Sequence, residues 1–315
     1  MATPDLASVH LDSILTDFSH ALFQDEASFV ARAASPLVPV SKQTDKYYVY
    51  DKAETMRSDA AFRAPGTETT LRDYTLSKQA FHCELRSVGV NISEQILANQ
   101  DDPLDAERDA VAVLTEDILI RMEQDWAAKF FTTSVWTTDD TDENWADDAS
   151  DPIGALLTGA NTMRGLTGKM PNTLILGADA WNLALANHPD LLSRIPSNMP
   201  AIMTQAFLGS LIGVDRVLVG NSIRNSAAEN LAFSASDNLG AAALLAYVTP
   251  NPGPRAATAM ATFNWTGLTG AGNGIRVLRQ EIPEQDAFPR ITVEAAYDYQ
   301  VVSADLGVFF SAVTT

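Results

Sequence analysis

Basic residues are scarce in this 315-residue chain: 21 Lys and Arg stand against 40 Asp and Glu, a net charge of −19. Proteins that grip nucleic acid carry a basic patch or arm to neutralise phosphates, and no such run occurs. The first forty residues hold Asp5, Asp12, Asp17, Asp25 and Glu26 against Arg32. A tail that clasps DNA is excluded. The plain alternative is a charge that serves solubility. Cysteine occurs once, as Cys83, so no intrachain disulfide can form, which fits a reducing cytoplasm. No apolar run approaches the ~20 residues that span a bilayer. The start, MATPDLASVHLDS, has neither the basic region nor the apolar core of an export signal.

Catalytic patterns are equally sparse. The stretch PNTLILGADAWNLALANHPDLLSRI (171–195) reads as strand, glycine turn and helix. Gly177 lacks the companion glycines and lysine that a phosphate loop or dinucleotide turn needs. TGAGNG (269–274) precedes a strand rather than a helix and reads as a loop. His10, His20, His82 and His188 are scattered, with no zinc-like grouping. His188 before Pro189 reads as a helix end, where an imidazole meets the negative dipole. No GxSxG elbow is present. The acidic run TTDDTDENWADDASDP lacks the glycine and terminal glutamate of a calcium loop and reads as solvated. Cys83 reads as a small buried thiol, and the five tryptophans as core and contact residues. No catalytic residue, cofactor or metal ligand is expected.

What is present suffices for a core: 46% of residues are hydrophobic. Residues 5–33 read as an amphipathic arm, with Leu6, Val9, Phe18, Leu22 and Phe29 near helical spacing and Ser35-Pro36 as its stop. Another subunit is the expected cover for its apolar face. Residues 47–50 and 75–92 are β-prone and flank a polar middle around Ala64-Pro65-Gly66, a long two-stranded excursion. Phe81, Cys83 and Leu85 alternate with His82, Glu84 and Arg86. Asp102 as cap, Pro103 at the first position and Asp105 in the first turn predict a helix to about Phe131. Its stripe is Val111, Leu114, Ile118, Met122, Trp126 and Phe130, with Glu107, Glu116, Glu123 and Arg108 on other faces. Asp151-Pro152 opens a second helix, stopped near 165–168. Strands are expected at TLILG, DRVLVGNS, AALLAYVT and ATAMATFNW, a helix at AIMTQAFLGSLIG, and at least three β runs after Gly274.

This order of elements, with PNTLILGADAW, HPDLLSRI and the terminal YDYQVVSADLG, resembles the Hong Kong 97 fold of tailed-bacteriophage major capsid proteins. The resemblance implies an α+β fold. Residues 1–40 would form the N-terminal arm and 41–93 an extended β-hairpin loop with flanking strands. Residues 94–151 and 273–315 would form a peripheral domain around a long spine helix, and 152–272 an axial α/β domain. The implied function is a non-enzymatic shell subunit, self-assembling as pentamers and hexamers around packaged double-stranded DNA, without sequence-specific binding. It would reside in the virion, after assembly in the host cytoplasm. Too little chain precedes the hairpin to hold a scaffolding segment, so a separate scaffolding protein and no N-terminal cleavage are expected. A portal protein and a decoration protein are further implied partners. Lys46, Lys52 and Lys78 lie in or near the hairpin, but no signature marks a crosslinking pair. Intersubunit charge pairing is expected between Arg57, Arg63 or Arg72 on the hairpin and Glu107, Glu116 or Glu123 on a neighbour's long helix. The competing readings are an encapsulin-like compartment and a cytoplasmic α/β enzyme built on the Gly177 turn.

Overall fold

The computed structural model describes residues 24–314 except 74, 100–104, 141–143, 196–201, 254–255, 268–273, 283–287 and 312. Arm residues Leu6, Val9, Phe18 and Leu22, the Asp102-Pro103 start and most of TGAGNG lie outside these.

In chain order, a short helix α1 (Ala31–Ala34) leads into β1 (Leu37–Val40). Next come β2 (Thr44–Tyr50), helix α2 (Lys52–Thr55), β3 (Leu76–His82) and β4 (Glu84–Asn91). Two helices follow, α3 (Glu94–Ala98) and α4 (Ala106–Phe130), then β5 (Thr138–Asp140), α5 (Pro152–Thr167) and β6 (Thr173–Gly177). A π-helical turn (Ala180–Leu185), α6 (Pro189–Ser193) and α7 (Gln205–Ile212) come before β7 (Arg216–Gly220) and the small strands β8 (Ile223–Asn225) and β9 (Ala235–Asp237). The chain closes with β10 (Ala243–Ala246), β11 (Met260–Trp265), β12 (Ile275–Ile282), β13 (Phe288–Val301) and β14 (Gly307–Phe310).

Two five-stranded sheets carry the molecule. The first is built on β13, which pairs antiparallel with β12, β4 and β11; β1 joins β11 in parallel. Val293 is thus paired with Val277 on one side and Val88 on the other. The second runs β5-β14-β10-β6-β7. Its three central strands, TLILG, ALLA and GVFF, are buried at every position. Such continuously apolar strands need cover on both faces, and two cores supply it. Ile175, Leu244 and Phe309 face the core under α4, whereas Leu174, Leu176, Leu245, Val308 and Phe310 face the core under α5 and α7.

Helix α4 begins one residue after Asp105, whose carboxylate accepts from the amides of Glu107 and Arg108 and is itself the N-cap. This corrects the expected cap at Asp102. The apolar stripe is real: Leu114, Ile118, Met122, Trp126 and Phe130 are buried against β13 and the second sheet. Burying each such large side chain stabilises the fold by ~1.5–3 kcal/mol, and truncating Trp126 to Ala would cost ~3–5 kcal/mol. Helix α5 follows the sequence closely. The Asp151 carboxylate accepts from the Gly154 amide, Pro152 takes the first position, and Gly168 ends the helix at φ +70°.

Several expectations change. The acidic run at 137–152 is not simply solvated: β5 adds to β14 in parallel, and Trp145 is fully buried. The C-terminal strands divide, with β12 and β13 in the first sheet and β14 in the second, while β11 joins the first. Sheet membership therefore does not follow the linear division at residue 273. His188 caps the start of α6 in extended conformation rather than closing a helix. It is buried, with Nε2 3.1 Å from the Asp147 carbonyl and 3.2 Å from Ser150 Oγ. Leu85 breaks the strand alternation: Phe81 and Cys83 are buried, but Leu85 is exposed where the chain passes from the β2–β3 ribbon to β13.

Candidate assembly surfaces

The β2–β3 ribbon is rooted by apolar contact. Phe81 stacks on Phe263 with ring centroids 4.6 Å apart, and Cys83 is buried beside it. Burial pushes the Cys83 thiol up to about 11, so it is inert as a nucleophile at neutral pH. Beyond the root the loop is largely exposed, turning at Gly66 with φ +84°. Met56, Phe62, Leu71 and Leu76 project into solvent from it. A group of large apolar side chains on one exposed excursion marks a contact surface more often than chance placement does.

The three loop arginines brace the loop itself. Arg57 Nε donates to Asp59 Oδ1 at 2.8 Å, Arg72 donates to the Arg57 carbonyl at 2.6 Å, and Arg63 to the Thr67 carbonyl at 2.5 Å. Glu54 accepts from the amide and hydroxyl of Thr75, which holds the Glu54 carboxyl below its ordinary range. At the loop's start Lys52 pairs with Asp305.

The acids of α4 occupy three different settings. Glu107 accepts from Arg279 at 3.0 Å at an exposed edge. Glu116 accepts from the Gln24 amide at 3.1 Å. Glu123 is not on an outer face at all: it is fully buried, and its two oxygens accept from the amides of Val30 and Ala31 at 3.0 and 2.9 Å. Burial raises its carboxyl to about 7, against the opposing pull of the Ala31 and Val30 amides. The expectation that Glu123 faces a neighbour is therefore corrected. The signal was its place at the edge of the apolar stripe, between Met122 and Trp126. Segment 24–34 covers that edge, burying Phe29, Val30, Ala31 and Ala34 in the chain's own core. This part of the arm does not rely on another subunit for cover.

A shallow cleft of about 490 Å³ lies where the ribbon root meets β13 and α4, lined by His82, Glu84, Arg86, Asp125, Lys129 and Asp298 among others. Its cations and acids are already engaged in part. Asp125 meets Arg121 at 2.8 Å and Arg86 at 3.3 Å, and accepts from Tyr297 Oη at 2.7 Å. The cleft is a braced joint, with opposite charges interleaved rather than one sign gathered for a ligand.

Gly177 is a packing glycine. A Cβ there would lie 1.8 Å from the Gly240 carbonyl oxygen, and its amide donates to the Ala242 carbonyl at 2.9 Å. The turn is followed by Asp179, and Asp237 stands near enough that burial, and then the Asp179 charge, raise its carboxyl. Paired acids beside a turn repel a phosphate. Among the described residues no group of three or more His, Cys, Asp or Glu is placed to hold a metal ion, and no helix is long and apolar enough to cross a membrane.

No protein-family model matches the sequence. A major capsid protein of Burkholderia phage BcepMu is 27% identical over 250 residues, covering 76% of each chain. A phage-related protein from Bordetella bronchiseptica superimposes with a TM-score of 0.70 at 18% identity, covering 92% of this chain and 94% of its own. The capsid structure of cyanophage P-SCSP1u gives 0.60 at 11% identity, covering 93% and 90%. An encapsulin complex from Synechococcus elongatus gives a lower 0.52 at 14% identity, covering 98% of this chain and 95% of its own. With its long helix on one sheet, its second buried sheet and its projecting ribbon, the chain has the Hong Kong 97 fold of tailed-bacteriophage major capsid proteins.

Proposed function

We infer that this chain is a major capsid protein, a structural and non-enzymatic subunit of a tailed-phage shell. The observation that carries the inference is the relative named major capsid protein, aligned over three quarters of both chains, together with the capsid fold. The finer reading is that copies assemble as pentamers and hexamers into an icosahedral virion shell. In it the exposed loop lies on a neighbouring copy, where Met56, Phe62, Leu71 and Leu76 lose contact with water. Such burial favours association, set against the freedom lost on docking.

The segment assignment follows. Residues 1–40 act as the arm, 41–93 as the extended loop, α4 as the spine of the peripheral domain, and 152–272 as the bulk of the axial domain. Arg57, Arg63 and Arg72 facing Glu107 and Glu116 of a neighbour is the charge pairing this reading retains; Glu123 leaves the set. The net charge of −19 fits a wall that does not hold packaged DNA tightly. Scaffolding, portal and decoration proteins are the partners such a subunit would meet.

The encapsulin reading shares the fold but rests on the weaker structural likeness. The test is light scattering and negative-stain imaging of the chain expressed with and without a candidate scaffold. Closed shells or rings of five and six are expected, and nucleic acid rather than one cargo enzyme in native particles. A monodisperse monomer or dimer under both conditions refutes the reading.

A further inference from the structure

Polar and stacking contacts tie the exposed loop to the body at its root and again farther out. At the root Phe81 stacks on Phe263, and the His82 amide donates to Asp298 Oδ2 of β13 at 2.8 Å. From there β2 and β3 stay paired from Thr44 and His82 out to Tyr50 and Leu76, a lever of roughly 20 Å at ~3.3 Å per residue. At its far end the chain turns into α2, and Lys52 Nζ donates to Asp305 Oδ2. Asp305 sits in the 3-10 turn Ala304–Leu306, between β13 of the first sheet and β14 of the second. Its other oxygen accepts from Thr137 Oγ1 at 2.6 Å, and the Thr137 amide donates to the Ala304 carbonyl at 3.2 Å. The segment entering β5 thus braces the turn that Lys52 reaches. The acids beside Lys52 are engaged within the loop: Asp51 accepts from the Ala53 amide at 2.8 Å, and Glu54 from Thr75. The Lys52 and Thr137 contacts hold the Asp305 carboxyl below its ordinary range, so it is ionised at neutral pH.

We propose that the Lys52–Asp305 pair is a releasable pin that sets the angle at which the exposed loop leaves the body, with the Phe81–Phe263 root as its pivot.

Placement and exposure carry this together. A contact at the end of a lever restrains rotation far better than contacts at its base, because a small swing of a ~20 Å arm moves its end by several ångströms. The pin is also open to water: its side chains are 44% and 22% exposed. An ion pair in that setting contributes little net stability and is screened by salt. The root has the opposite character, with Phe81 and Cys83 buried against Phe263. A firm pivot and a weak pin give the loop two attitudes without unfolding either strand. That pentamers and hexamers would draw on both attitudes rests on the shell reading; the pin itself does not.

The test is a pulsed electron-spin distance measurement on the full chain, with labels at Thr70→Cys in the loop and Asn161→Cys on α5, both exposed. Cys83 is buried and takes no label. Excess unlabelled chain keeps the measured distance within one copy, whatever assembly forms. Lys52→Met removes the charge and keeps the stem, and Asp305→Asn removes the charge and keeps an acceptor for Thr137. Each is expected to broaden the distance distribution by several ångströms, and the double variant no further, since all three break one pair. In about 1 M salt, where the Debye length falls to ~3 Å, the unsubstituted pair should broaden toward the variants while Lys52→Met stays unchanged. A distribution in Lys52→Met as narrow as that of the intact pair overturns the proposal, because the root then holds the loop without the pin. Additive broadening in the double variant overturns it too, because the two residues then act separately. An intact pair that ignores salt overturns it even if a variant fails to fold. These distances do not depend on shells, so a chain that behaves as expected here and never assembles refutes the shell reading alone.

Discussion

Replacing Gly177 with Ala separates a packing role from a ligand role, because the two make opposite demands. The added Cβ would meet the Gly240 carbonyl oxygen at 1.8 Å, its carbon at 2.8 Å and the Leu239 oxygen at 3.2 Å. These are backbone atoms, so no side chain can swing aside. Relief requires the end of β6 and the loop before β10 to part, and that loop is fixed by Gly240 at φ +60°. Parting them also stretches the bond from the Gly177 amide to the Ala242 carbonyl. Overpacking costs ~1–3 kcal/mol and a strained hydrogen bond ~0.5–1.5 kcal/mol, so G177A should lose roughly 2–4 kcal/mol. The internal control is Gly165, exposed within α5 with open space at its Cβ position. There the same substitution should gain ~0.5–1 kcal/mol, since Ala surrenders less backbone freedom in a helix. Urea unfolding of both variants, followed by tryptophan fluorescence under conditions that keep the chain unassembled, reads the two signs directly. A G177A protein within ~0.5 kcal/mol of wild type would refute the packing argument. A normally folded G177A that lost a bound nucleotide would instead restore the enzyme reading.

Other substitutions probe separate parts of the structure. Phe62→Asp with Leu71→Asp, both on exposed loop residues, should leave unfolding unchanged within ~0.5 kcal/mol while abolishing shells in negative stain; intact shells would remove the loop from the interface. Arg276 and Glu294 form a pair across β12 and β13 with side chains 16% and 13% exposed, so Glu294→Ala should destabilise by ~1–3 kcal/mol in the same urea assay. Trp136 Nε1 donates to the Phe130 carbonyl at 2.8 Å, whereas Trp126 Nε1 has no hydrogen-bond partner among the described residues. Trp136→Phe should therefore cost about 1 kcal/mol more than Trp126→Phe, and equal losses would count against that bond.

Elements whose cause lies within a few residues were legible from the sequence. Helix α5 is fully specified by Asp151, Pro152 and Gly168, and α4 by its stripe from Leu114 to Phe130. What stayed hidden depends on partners far along the chain. TDD in β5 reads as solvated until it pairs with β14, some 170 residues on. LVPV in β1 carries Pro39 and becomes a strand only because β11 offers it a parallel edge. Glu123 looks like a surface acid until residues 30 and 31, ninety-odd positions earlier, bring their amides to it.

That last case changes what the two excursions mean. Read from the sequence, arm and hairpin are alike, since each is expected to lie on another subunit. In the structure they part. Segment 24–34 spends its apolar residues on the chain's own α4 core and ties its amides to Glu116 and Glu123. The hairpin loop closes its polar bonds within itself, through Arg57, Arg63, Arg72 and Glu54, and leaves Phe62 and Leu71 in water. A loop whose charges are satisfied internally and whose apolar side chains are not has its shape fixed before it meets a partner. Preorganisation of that kind lowers the ordering cost of association. The free energy of contact should then come mainly from the apolar residues, with the arginines setting the loop's form, and charge reversal at Arg57 or Arg72 should act through loop shape before it acts across an interface.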